Sequence, residues 1–203
     1  MKFMVRAGLA VVLCCMFMLQ ATAACLIPAY SATYNLYHGG HAVGATSDVM
    51  SAPGSGRYQM RSTSNVKMLI FKAHIYTQSV GRTSAQGFVP EIFTAHDTHS
   101  STPTTHHMQR DEYDALSSVQ QLRLMLMRGQ RKMTLQIYMD KKLVKLNFQA
   151  SQKVQYMQVM GNRTLTRLVS AKLENGDVLQ LWFAVNMNYV LVIVSILIQL
   201  DTI

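Results

Sequence analysis

A two-residue apolar rhythm, broken repeatedly by turn formers, constrains this chain more than any other feature. Tyr30, Ala32, Tyr34 and Leu36 alternate with Ser31, Thr33 and Asn35, and Met133, Leu135, Ile137 and Met139 alternate with Thr134, Gln136 and Tyr138. A period of two puts the apolar side chains on one face of a half-buried strand. Residues 57–65 repeat the pattern, with Tyr58 and Met60 opposed to Arg57, Gln59 and Arg61. Residues 42–50, 74–84 (interrupted by Gly81), 91–95, 143–148, 153–160, 163–173, 178–185 and 189–200 are further strand candidates, while 66–71 fits a strand or a short helix. Turn clusters separate them: His38-Gly39-Gly40-His41, the 51–56 stretch, Gly87 to Pro90, Asp140-Lys141-Lys142 and Asn186-Met187-Asn188. Pro90 points to an edge position or a strand start. Glu174-Asn175-Gly176-Asp177 predicts a hairpin with a type I′ turn, because Asn-Gly takes positive φ cheaply.

Two segments depart from this rhythm. Residues 96–107 (HDTHSSTPTTHH) carry no apolar period and read as an exposed loop. Residues 114–127 predict a helix: Asp114 is a good N-cap, Leu116, Val119, Leu122, Met125 and Leu126 recur at spacings of three and four, and Gly129 stops it. Arg123 and Arg128 are expected near its C-terminal end, where the helix dipole favours cations. The expected fold is therefore mainly β: a curved antiparallel sheet, or half-open barrel, with one amphipathic helix packed on its concave face.

The first residues set the compartment. Lys2 and Arg6 precede an uncharged apolar run, and Ala21-Thr22-Ala23 offers small residues to a signal peptidase, so residues 1–23 read as a secretory signal peptide and 24–203 as one exported, periplasmic domain. Cys14 and Cys15 leave with the signal, which excludes an intramolecular disulfide in the mature chain. The remaining Cys25 is a candidate for lipidation, since it lies just past the apolar run, although Thr22 departs from the large apolar residue that a lipobox prefers. Lys and Arg number 19 against 10 Asp and Glu. Export and the dispersal of those charges argue against nucleic acid; the alternatives are a solvated surface or attraction to anionic lipid head groups in a peripheral membrane contact. The uncharged stretch 178–200 (Asp177 precedes it) admits two strands or a membrane span. Its Asn and Gln interruptions and β-branched residues favour strands, and no Lys or Arg follows it.

No constellation points to catalysis, a cofactor or a metal. His38, His41, His96, His99, His106 and His107 lie at spacings that match no standard zinc or copper site. Asp111, Glu112 and Asp114 sit where carboxylates complement a helix dipole rather than where a paired acid and base would be built. Ser117 and Ser118 lack a nucleophile elbow, and the glycine pairs are hairpin glycines rather than a phosphate loop. The 15 methionines suit either core filling or an adaptable apolar pocket, and Trp182 is expected to anchor the core.

The order of four motifs resembles a family of Gram-negative exported proteins known only as a domain of unknown function. They are Pro28-Ala29-Tyr30-Ser31-Ala32-Thr33-Tyr34 closed by Gly40-His41-Ala42-Val43-Gly44; Gly87-Phe88-Val89-Pro90; residues 114–123 (DALSSVQQLR); and Gly176-Asp177-Val178-Leu179-Gln180-Leu181-Trp182 followed by Asn188-Tyr189. The likeness covers roughly residues 28–196 and implies a half-open β-barrel similar in outline to periplasmic lipoprotein carriers. It implies no activity. One departure is the absence of prolines near Val185 and Leu191. The resulting expectation is a non-enzymatic envelope protein that holds a lipid or other apolar ligand in its concavity. The alternative is a structural or assembly factor that works through contacts with other envelope proteins.

Overall fold

The computed structural model describes residues 27–38, 41–54, 56–68, 71–98 and 102–197. The signal peptide, its cleavage point and Cys25 lie outside them. Two six-stranded sheets are present. The first is a meander in sequence order: β1 (Tyr30–His38), β2 (His41–Gly54), β3 (Arg57–Met68), β4 (Phe71–Thr83), β5 (Phe88–Asp97) and β6 (Thr104–His107). The second holds β7 (Glu112–Asp114), β8 (Lys132–Met139), β9 (Lys142–Val159), β10 (Asn162–Lys172), β11 (Val178–Ala184) and β12 (Val190–Leu197), ordered β12-β11-β10-β9-β8-β7, and curls into a half-barrel. The helix α1 (Ala115–Met127) joins β7 to β8, the one parallel pair among the described strands. A parallel pair requires a crossover connection, so the helix has to lie on a face of the sheet.

The mainly β architecture with one helix on the concave face of a sheet is as expected. The helix is covered on more than its apolar stripe. Leu122 and Leu126, with Val119 and Met125 beside them, join Met133, Leu135, Ile137, Leu146, Phe148, Val169 and Phe183 in the core of the second sheet. Leu124, with Leu116 and Met127, joins Ile27, Met50, Tyr58, Met60 and Phe88 in the core of the first. Ser117, Ser118, Gln120, Gln121 and Arg123 are buried between the two. Arg123 is thus a buried mid-helix cation whose Nε donates to Asn188 O at 2.7 Å. It is not a solvated partner of the helix C-terminus. Arg128, the C-cap residue, spends its guanidinium on Ala85 O and Gln86 O.

Several local expectations are corrected. The 96–107 loop is shorter than its composition indicated: β5 runs through Asp97, and Thr104–His107 pairs with Ile92–Ala95 as β6. Those polar residues lie on an edge strand with little core to face, so no apolar period was needed. The 143–148 and 153–160 candidates are one strand, β9, whose pairing with β10 is irregular between Ala150 and Val154, opposite Arg167 to Val169. Of the 66–71 stretch, residues 66–68 end β3 and Phe71 starts β4, and the two strands pair in register; residues 69 and 70 lie outside the described residues. Residues 178–197 form β11, a single 3-10 turn (Val185–Met187) and β12; no helix among the described residues is long and apolar enough to cross a membrane. At Glu174-Asn175-Gly176 only Gly176 has positive φ (90°), and Gly176 N donates to Leu173 O. That is a tight turn followed by a left-handed glycine rather than type I′. The two-residue turns with both φ values positive fall at Asp140-Lys141 and Met160-Gly161.

Trp182 is not in the core. Its neighbours Leu181 and Phe183 take the core-facing phase of β11, and Trp182 is left half-buried on the other face.

Candidate functional site

The inner face of the first sheet changes character along its length. Register places Tyr30, Met50 and Met60 in one cross-strand row, Ala32, Asp48 and Ser62 in the next, and Thr46 beside Ser64 in the third. The first row belongs to the core. The others are polar, and Thr46 and Ser64 share a hydroxyl hydrogen bond. A cleft opens where this polar half faces the start of α1 and of β12. Tyr30, Tyr34, Asp48, Met60, Leu116, Val119, Gln120, Arg123, Val190 and Leu191 are among its walls.

The floor of the cleft holds polar atoms that the protein does not satisfy. Asp48 Oδ1 and Gln120 Oε1 are both buried without a hydrogen-bond partner. Such groups are rare because desolvation of an unpaired acceptor is costly, on the order of 1–3 kcal/mol. Gln120 Nε2 donates to Tyr30 OH at 2.7 Å, and the Arg123 guanidinium lies 6.0 Å from the Tyr30 ring centroid. Burial raises the Asp48 carboxyl above its ordinary value, partly offset by a hydrogen bond from Ser62. Burial, then the Asp48 charge, pushes the Tyr34 hydroxyl up to about 12, with Arg123 acting in the opposite sense. Tyr30 moves the same way for the same reasons, with Tyr34 adding to the effect. Both tyrosines are therefore neutral at physiological pH.

The cleft is small, about 40 Å³. One water needs roughly 10–15 Å³, so the space takes the end of a molecule rather than the length of an acyl chain. The wider concavity is already filled by α1. An apolar strip leads away from the cleft along β12. Leu191 lines the cleft, and Val194 and Ile196 pair with Leu181 and Leu179, in the phase that faces the core elsewhere in the sheet. Yet Val194 and Ile196 are 56% and 54% exposed.

The residues singled out from sequence are dispersed. Asp114 caps α1: its Oδ1 accepts from the N–H groups of Leu116 and Ser117, and its Oδ2 accepts from the hydroxyls of Ser79 (2.6 Å) and Ser117 (2.8 Å). Glu112 accepts from Gln109 N–H and meets His106 at 3.3 Å, while His106 stacks on Tyr138. Asp111 is solvent-exposed beside Arg110. The three acids are therefore held apart in separate roles. Among the described residues no group of three or more His, Cys, Asp or Glu is placed to hold a metal. Sequence reasoning missed Asp48. The available signal was its phase: Thr46, Asp48 and Met50 share one side of β2, which makes Asp48 a carboxylate on an inward-facing position. Gln120 was hidden because polar residues beside the apolar stripe of a helix usually face solvent.

Compared with family models, curated proteins and solved structures, the chain matches none of them.

Proposed function

We propose that this is a non-catalytic, exported envelope protein that binds a lipid or similar amphipathic ligand, with its polar end in the cleft and its apolar part along β12. The observation that carries this reading is the continuity of two unusual surfaces: unsatisfied buried acceptors at one end and uncovered, core-phase aliphatic side chains at the other. Contiguous exposed apolar surface marks a binding site more often than chance packing. A ligand that is apolar with a few placed polar contacts is what such a lining recognises. Export rests on the N-terminal signal pattern, and the periplasm as the compartment rests on the resemblance to a Gram-negative exported half-barrel family. The basic excess supports peripheral contact with an anionic membrane. Native mass spectrometry of protein purified from envelope fractions tests this reading. The expected result is an adduct of lipid mass that organic extraction releases; a bare polypeptide mass after gentle purification counts against it. The same spectra report on Cys25, because a diacylglyceryl mass on a chain starting at that residue establishes lipidation and a free Ala24 amine excludes it.

A second reading is favoured by one feature. β12 is an edge strand of eight residues, VLVIVSIL, with no charge. Such an edge is a template for strand addition from another chain, as an envelope assembly factor would use. Crosslinking in cells through a photoreactive residue at Val194 separates the two, since strand addition yields a protein adduct and ligand binding does not.

A further inference from the structure

The polar end of the cleft carries chemical information beyond "amphipathic". Both unsatisfied atoms are acceptors, one on a carboxylate and one on a primary amide. Their partner must therefore be a donor, and a ligand head built of acceptors alone would leave them unpaired. Asp48 takes part in none of the ion pairs among the described residues. Two arginines also line the cleft, Arg61 and Arg123, and neither forms an ion pair with Asp48; Arg123 has its Nε committed to the Asn188 carbonyl and its guanidinium near Tyr30. A neutral donor would satisfy the hydrogen bonds but leave the carboxylate charge uncompensated in a half-buried site, which is the costlier condition. A single group that supplies several donors and one positive charge, and that fits about 40 Å³, is a primary ammonium.

Resting on the amphiphile reading above, we propose that the cleft is a primary-ammonium site in which Asp48 Oδ1 and Gln120 Oε1 accept from the –NH₃⁺ group, with Tyr30 and Tyr34 lining it and the ligand's methylene stem lying against Leu116, Val119 and Leu191. The aromatic rings add a favourable face for a cation. The charged and titratable groups that border Asp48 are Tyr30 and Tyr34 on β1, Arg61 on β3 and Arg123 on α1, while β12 contributes only Val190 and Leu191. Asp48 is the one carboxylate among them. Ammonium binding therefore weakens on acidification, as Asp48 takes up its proton above the ordinary carboxylate range.

The test is a calorimetric titration of the purified protein at neutral pH with hexylammonium, hexanol, hexanoate and ethanolamine. The expected order places hexylammonium tightest, hexanol at least tenfold weaker and hexanoate weakest. Asp48→Asn keeps the shape and removes the charge, so it should fold, lose most hexylammonium affinity and leave hexanol unchanged. Gln120→Leu should weaken hexylammonium about tenfold. Equal binding of the three hexyl compounds overturns the ammonium site while the amphiphile reading stands. No binding by any of them overturns both. Ethanolamine as tight as hexylammonium supports the site with a free small amine as its source, and ethanolamine much weaker than hexylammonium supports it with an amphiphile as its source. Unchanged hexylammonium affinity in folded Asp48→Asn protein overturns the assignment of that carboxylate.

Discussion

Two aspartates show how the same side chain is buried for opposite ends. Asp114 is fully enclosed, yet its carboxylate receives four hydrogen bonds. Ser79 gives its only proton to Asp114, so Tyr58 donates to Ser79 in turn. This chain ties β3, β4 and α1 together. Asp114→Ala strips two backbone N–H groups and two hydroxyls of their acceptor at once, and is expected to cost about 2–4 kcal/mol, read as a lower urea midpoint with an unchanged slope. Asp48 is half-enclosed and only partly satisfied. Burial raises its folded pKa above the ordinary value of 3.8, so the folded state holds the proton more tightly than the unfolded one. Stability from this group is then present at low pH and lost as pH rises through the window above 3.8. Asp48→Asn is expected to raise Tm at neutral pH, and the gain should vanish below that window; a gain that persists in acid would mean that the charge is not its source. Tyr34 gives an alkaline counterpart: with a pKa of about 12 against 10.0, its contribution is complete below pH 10 and is lost as pH rises toward 12. Asp114 was legible as an N-cap from its place before an apolar stripe. Asp48 was not, because its environment exists only once β2 has paired with β1 and β3.

At the level of elements, the strands were readable and the helix only half so. β8 buries Met133, Leu135 and Ile137 in strict alternation, and that period is written in the sequence. The second buried face of α1 is not, since it mixes Leu116 and Leu124 with buried Gln120, Gln121 and Arg123, whose partners lie far off in sequence. Gln121 accepts from Phe88 N–H at 3.0 Å and donates to Gln86 O, and Arg128 grips the same loop. Gly87 makes this docking feasible. Its φ is +137°, and a Cβ there would come within 2.1 Å of Gln121 Oε1. Gly87→Ala should therefore destabilise by more than about 1 kcal/mol through backbone strain and collision together. Combining it with Gln121→Ala removes the collision and leaves the strain. A double-mutant cycle is expected to show less than additive loss; strict additivity would place the whole cost in the backbone.

Across the whole molecule, the four sheet edges are treated unequally. β6 and β7 are four and three residues long, short enough to discourage pairing with another chain. β1 presents Ser31, Thr33 and Asn35 on its exposed side. β12 alone is both long and apolar, and its core-phase residues Val194 and Ile196 remain in solvent. A fold that buries Leu181 and Phe183 completely could have covered these as well, so their exposure costs solubility without adding to the core. The two uses of this edge separate by substitution. Val194→Thr with Ile196→Thr keeps β-branched residues and an intact backbone edge while removing apolar area. Val194→Lys with Ile196→Lys also places charges that repel an incoming strand. If β12 holds the apolar part of an amphiphile, both double variants lose binding of a long-chain alkylammonium detergent that reaches past Leu191, and both keep the parent Tm because the sites are half-exposed. If β12 recruits another chain, the Thr variant retains the crosslinked protein adduct and the Lys variant loses it. Loss of ligand in the Thr variant with Tm unchanged is the expected outcome, and it assigns the uncovered strip to the ligand rather than to a partner strand.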